Sequence, residues 1–253
     1  MLFGSGPQHA GGALVGGPNG LAWAARSKVW GSLHDRPRLF QPPRSPGGSG
    51  VGDVCVTNLK QNIKSFYTKF CADPDATMPF FYSPKYLLEG NAIVNSLLHA
   101  HDQLYKDNLK KEFSTRAGAS GIFMAKSESV LSIVSVGNCA CYLYRKGRLE
   151  KVFIEDSFQF LTNNSYQNHL KTTPLSGFGL FPELDYQVRE IRLFSGDKIV
   201  ALSDGVYSRL SEDELKDVVT NPEIDGKAKI ERMFSISNQK GNLDNQSCMI
   251  LEF

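Results

Sequence analysis

Between Val130 and Ile154 the chain runs VLSIVSV, Gly137-Asn138, CACYLYR, Lys146-Gly147 and RLEKVFI: three short runs, each divided from the next by two turn residues. Runs rich in β-branched and aromatic residues and bounded this way read as strands, and two-residue links join antiparallel ones. The stretch therefore predicts a meander of antiparallel strands. Cys139 and Cys141 lie two apart on one strand and so share a face, where packing rather than metal binding is expected because no partner ligands stand nearby.

A second pair of strands follows, YQVREIRL (186–193) and KIVALS (198–203), joined by Phe194-Ser195-Gly196-Asp197. The spacing predicts helices near 211–219 and 227–235, then a last strand, QSCMILEF. The first of these helices is the most sharply marked. Ser211 with Glu214 three residues later forms a capping box, and Leu210 and Leu215 occupy the staple positions around it. Upstream, Leu59, Ile63, Phe66, Tyr67 and Phe70 recur at helical spacing over 53–70. Val94, Leu97, Leu98, His101, Leu104 and Tyr105 do the same over 86–111, with His99 and Asp102 on the outer surface. His101 reads as a histidine on a helix face without a chemical role.

Composition sets the limits. With 253 residues, 41% of them hydrophobic, the chain is long enough to bury a sizeable core. Its 28 basic and 26 acidic side chains leave a formal charge of +2, no footprint for nucleic acid or an anionic membrane. The 5 cysteines show no paired spacing, which points to a reducing, intracellular and cytoplasmic setting. No uncharged apolar run reaches the roughly 18 residues needed to span a bilayer.

Residues 1–46 differ in texture: they are crowded with Gly, Pro and Ala, lack Ile and Glu, and carry one acid, Asp35. Without sustained periodicity, such a segment is expected to be disordered. Arg26, Lys28, Arg36 and Arg38 suggest organellar targeting as an alternative, although the prolines oppose a targeting helix. The reading is thus a Gly/Pro/Ala-rich segment, 1–46, followed by one domain, 47–253.

Asp204 follows an apolar strand and Asp244 precedes another, so antiparallel pairing of those strands would bring both carboxylates to one edge. Hard cations such as Mg²⁺ and Mn²⁺ take oxygen ligands of this kind. Each aspartate is also a natural turn residue, so neither is a ligand on its own evidence.

The order of these segments resembles the metal-dependent PPM-type serine/threonine protein phosphatases in their compact, bacterial-like form. GGSGVGDVCVTNLKQNI is similar to the start of the helix after that family's D-G-x-G-G motif, and STRAGASGIFMA to its small-residue segment. LSIVSVGNCACYLYRKGRLEKV resembles the V-G-D-S-R hairpin, FSGDKIVALSDGVYSRLSEDEL the S-D-G motif, and LDNQSCMILEF the closing D-N motif. The resemblance implies an α+β fold, an αββα sandwich of two antiparallel sheets flanked by helices. It implies Asp204 and Asp244 as metal ligands, Mg²⁺ or Mn²⁺ as cofactor, and a phosphoprotein as partner.

Four departures qualify it. Counting back from Gly47-Gly48, Arg44 stands where the family has an aspartate that bridges two ions, and an arginine cannot lose its proton to bind one. Ser45 replaces the glycine beside it, and Asp35 is too close in sequence to be the family's upstream acid. Asn138 stands where V-G-D has an aspartate, and an amide binds a divalent ion more weakly. The expectation is a sandwich lacking its first strands, a degenerate site holding one weakly bound ion, and no catalytic residues assigned. Such a domain would be non-catalytic or weakly active and act by binding a phosphoprotein or regulatory protein. An active phosphatase and a truncated product of one remain as alternatives.

Overall fold

Among the described residues nine strands and five helices follow one another, and the central strands divide their side chains between the cores on their two faces. In the computed structural model, which describes residues 2–5, 21–29, 49–73, 77–112, 115–157, 174–242 and 244–253, the strands are β1 (Leu2–Ser5), β2 (Leu21–Val29), β3 (Ala117–Ser127), β4 (Val130–Val136), β5 (Ala140–Arg145), β6 (Arg148–Lys151), β7 (Gln187–Arg192), β8 (Lys198–Leu202) and β9 (Ser247–Glu252). The helices are α1 (Ser49–Ala72), α2 (Leu88–Leu109), α3 (Asp204–Tyr207), α4 (Glu212–Thr220) and α5 (Gly226–Gln239). One sheet has the order β1-β9-β8-β5-β6 and the other β2-β3-β4-β7, and every pairing is antiparallel.

The period of two distributes each strand between layers. Ile122, Met124, Leu131 and Ile133 from one sheet meet Cys141, Leu143, Ile199, Ala201, Met249 and Leu251 from the other, an apolar layer between the sheets. The opposite faces carry Phe123, Val134 and Val136 against Ile63, Phe70, Ile93 and Leu97 of α1 and α2. Val200, Leu202 and Ile250 pack in the same way on Leu215, Val219, Ile230 and Met233 of α4 and α5. This is the α+β, αββα sandwich that the motif order implied. Cys139 and Cys141 share the inter-sheet face, and burial pushes the Cys141 thiol well above its ordinary range.

In three places the course of the strands differs from the sequence reading. The Gly137-Asn138 turn does not make a hairpin: β4 lies between β3 and β7, whereas β5 lies between β6 and β8 in the other sheet. Likewise β7 and β8 are not partners. A short turn reverses the chain, but its next step can run along a sheet or across the roughly 10 Å to the facing one. Both hydrogen-bonding sides of β4 and β5 are already taken, so the chain crosses. The Lys146-Gly147 turn does make the hairpin β5–β6, with φ of 49° and 81°, the pair a type I′ turn requires.

The third difference is at the start. Instead of a sandwich lacking its first strands, Leu2–Ser5 pairs with β9 and Leu21–Val29 pairs along its full length with β3. Backbone pairing on one side holds an edge strand, and a run such as LAWAARSKV carries little alternation to announce it. Asp35, Arg44 and Ser45 lie outside the described residues, as do the side chains of Cys55, Lys60 and Cys71.

The helices match their spacing. The Ser211 and Glu214 capping box is formed in both directions. His101 is buried on α2 with Nδ1 accepting from the Gly179 N–H at 3.2 Å, and burial lowers its pKa, so it is a neutral packing histidine. His99, expected on the outer surface, stacks on Phe66 of α1 at 4.4 Å between ring centroids. Imidazole is planar enough to pack as a hydrophobe when a neighbouring helix offers an aromatic face.

Candidate functional site

Strands β8 and β9 pair with Leu202 opposite Cys248, so the C-terminal end of one and the N-terminal end of the other form a single edge. Ser203 continues that pairing after β8 has ended. Its N–H donates to the Ser247 carbonyl at 3.0 Å, and its Oγ accepts from the Ser247 N–H at 2.9 Å. Ser203 is thus a tie between strands.

Asp204 follows as the first residue of α3 and is buried, 2% exposed. Its Oδ1 accepts from the Gly205 N–H at 3.0 Å and its Oδ2 from the Asn138 Nδ2 at 3.0 Å. Asn138 is held in turn by its carbonyl, which accepts from the Tyr207 hydroxyl at 2.7 Å. The Gly205 carbonyl accepts from Ser237 Oγ of α5 at 2.7 Å. Asp204, Asn138 and the start of α3 therefore form one hydrogen-bonded unit spanning both sides of the sandwich's end.

Asp244 sits across this edge and is exposed. Its Oδ1 accepts from the Asn245 N–H at 3.0 Å, and its own N–H donates to Asn242 Oδ1 at 3.2 Å. The two aspartate segments touch through their backbones. A Cβ built on Gly205 would overlap the Asn245 carbonyl oxygen and lie 3.3 Å from that of Asp244. Only glycine lets the turn after Asp204 press this closely on the segment before β9.

The sequence reading missed how Asn138 is used. The departure from aspartate was visible, but not that its amide would be directed at Asp204, because that follows from β5 pairing with β8: with Ala140 opposite Leu202, Asn138 comes opposite Asp204. The signal that could have found it is the Gly137-Asn138 turn standing at the same end as the Ser203-Asp204-Gly205 turn.

A hard divalent ion takes six or more oxygens, and a two-ion centre shares anionic bridges between its ions. Among the described residues, no group of three or more His, Cys, Asp and Glu side chains stands together in a way that could hold a metal ion. Asp204 and Asp244 supply two carboxylates, one with an amide donor already on Oδ2. The described residues fit part of a cation site and not the ligand set of a two-ion centre.

No family model matches the chain, and no curated protein matches it in sequence. Solved structures do match its fold. The serine/threonine phosphatase Stp1 from Staphylococcus aureus superposes with a TM-score of 0.72 at 12% identity, covering 100% of this chain and 93% of that one. The PPM Ser-Thr phosphatase MsPP from Mycobacterium smegmatis gives 0.68 at 17% identity, covering 100% and 96%. The catalytic domain of the serine/threonine protein phosphatase PstP, in complex with two manganese ions, gives 0.64 at 17% identity, covering 98% and 94%. The chain has the PPM phosphatase fold.

Proposed function

We propose that this PPM-fold chain is a phosphatase-like domain with a degenerate metal edge, non-catalytic or weakly active, that acts by binding a phosphoprotein or regulatory protein. The hydrogen bond from Asn138 Nδ2 to Asp204 Oδ2 carries the reading. A lone pair that accepts from an amide is not free for a cation, and the residue that donates it brings no charge of its own. Arg44, at the position of the family's bridging aspartate by sequence count, supports the same conclusion. In this reading Asp204 and Asp244 hold at most one weakly bound Mg²⁺ or Mn²⁺, and residues 1–46 stand in place of the family's own opening. Among the described residues no helix is long and apolar enough to cross a membrane.

A second reading, an active Mg²⁺- or Mn²⁺-dependent phosphoserine and phosphothreonine phosphatase, is favoured by the Asp204–Asp244 edge itself, whose segments are in contact. One set of proteins separates the two. Wild type, Asp204→Asn and Asn138→Asp are assayed for hydrolysis of para-nitrophenyl phosphate and a phosphoserine peptide in Mn²⁺, and their thermal unfolding is followed as Mn²⁺ is titrated. The expected outcome is no hydrolysis by wild type above the Asp204→Asn background. An ion present at its own dissociation constant should raise the wild-type Tm by only about 1–2 °C. At the same Mn²⁺ concentration Asn138→Asp should enlarge that rise. Mn²⁺-dependent turnover abolished by Asp204→Asn would establish the second reading.

A further inference from the structure

Beside the Asn138–Asp204 unit, where the two sheets part, the surface opens into a cavity of about 230 Å³. That is below the roughly 300–1,000 Å³ typical of small-molecule and cofactor sites, and suits a single side chain. One wall is Gly137, the residue before Asn138, so the cavity adjoins the candidate site along the chain.

Its lining is acidic. Glu155, Asp156 and Asp185 contribute carboxylates, and among the described residues no lysine or arginine lines it. The balance stays negative after internal pairing. Lys151 approaches Glu155 at 3.0 Å and neutralises that one group, while Asp156 accepts only a neutral hydroxyl hydrogen, from Ser176. Asp185 stands exposed at the rim.

The second observation is Ser135. It belongs to the face of β4 that carries Leu131 and Ile133 into the inter-sheet layer, it is 2% exposed, and it lines the cavity. Among the described residues its Oγ has no hydrogen-bond partner. A buried hydroxyl left without a partner is destabilising unless something else supplies one. Ser135 stands at the end of the inter-sheet layer, where the residue borders this cavity.

We propose that the cavity receives an arginine side chain of the bound polypeptide, close to the phosphorylated residue. A guanidinium carries five N–H donors in a planar fork, which matches acceptors spread over Ser135 and the carboxylates better than a compact ammonium does. The acidic groups do not converge as metal ligands, since no such cluster occurs among the described residues. The proposal rests on the phosphoprotein-binding reading above for the neighbouring phosphate, and specifies the partner as a phosphopeptide with a basic flank.

The test is fluorescence anisotropy on the full chain with three sets of degenerate, fluorescein-labelled peptides. One has a fixed phosphoserine and an arginine fixed at successive flanking positions. The second replaces arginine by citrulline, its uncharged near-isostere, and the third has arginine and unphosphorylated serine. At one or more positions the arginine set should bind about tenfold more tightly than the citrulline set. Asp185→Asn, at an exposed residue that leaves the core intact, and Ser135→Val should each reduce that ratio to about threefold or less, while the control Glu223→Gln leaves it unchanged. Equal binding of arginine and citrulline peptides, a preference that survives both substitutions, or no binding at all overturns the proposal. If phosphate strengthens binding but arginine does not, the cavity proposal fails and the phosphoprotein reading stands. An arginine preference that is lost in both variants while phosphate makes no difference leaves the cavity proposal standing and defeats the phosphoprotein reading.

Discussion

At the scale of single residues, the site depends on Gly205 as much as on Asp204. The chain turns from β8 into α3 with no room for a side chain against the Asn245 carbonyl, and that contact keeps the two aspartate segments together. Gly205→Ala must push them apart. Overpacking of this kind costs about 1–3 kcal/mol, and the substitution should lower stability by at least that much in urea unfolding. It should also weaken whatever cation binding the edge retains, because Asp244 moves with Asn245. An unchanged midpoint would mean that the edge is looser than the packing around Gly205 implies. Asp204 was legible in the sequence as a carboxylate at a strand end; its bond to Asn138 was not, since 66 residues separate them.

At the scale of elements, the turn from β7 into β8 carries the chain between sheets and is fastened by one ion pair. Asp197 is buried and accepts from Arg145 Nε at 2.9 Å, from a second guanidinium nitrogen at 2.6 Å and from the Phe194 N–H at 2.8 Å. The Arg145 guanidinium also lies 4.7 Å from the centre of the Phe194 ring. The hydrogen bonds from Arg145 hold the Asp197 pKa below the ordinary aspartate range. A carboxyl with a depressed folded pKa contributes stability above its unfolded value, and that contribution is lost as pH falls through the folded one. Asp197→Asn should therefore cost about 2–3 kcal/mol at pH 7. The gap between variant and wild type should narrow below about pH 4, where the unfolded aspartate takes up its proton. Urea titrations at pH 7 and at successively lower pH check both the size and the sign. The sequence showed a four-residue link here and nothing about which sheet each strand would join, because turn residues encode a reversal and not its direction.

At the scale of the whole molecule, three apolar layers hold two sheets and four long helices together. Ile199 lies in the middle layer, fully buried, flanked on β8 by partners in β5 and β9. Ile199→Ala should cost about 2–5 kcal/mol, seen as a lower urea midpoint with an unchanged slope. A loss under 1 kcal/mol would mean that the sheets collapse onto the cavity. The sequence by itself determined the element types, the capping box at Ser211, the antiparallel character of the sheets and the S-D-G and D-N turns at strand ends, because these follow from periodicity and from side chains within a few residues of one another. Tertiary structure alone decided that β4 and β5 part into different sheets, that Leu21–Val29 joins the edge of β3, and that Asn138 meets Asp204. Those outcomes depend on which hydrogen-bonding edges and apolar faces remain open once distant segments have packed, and no local stretch of the chain contains that information.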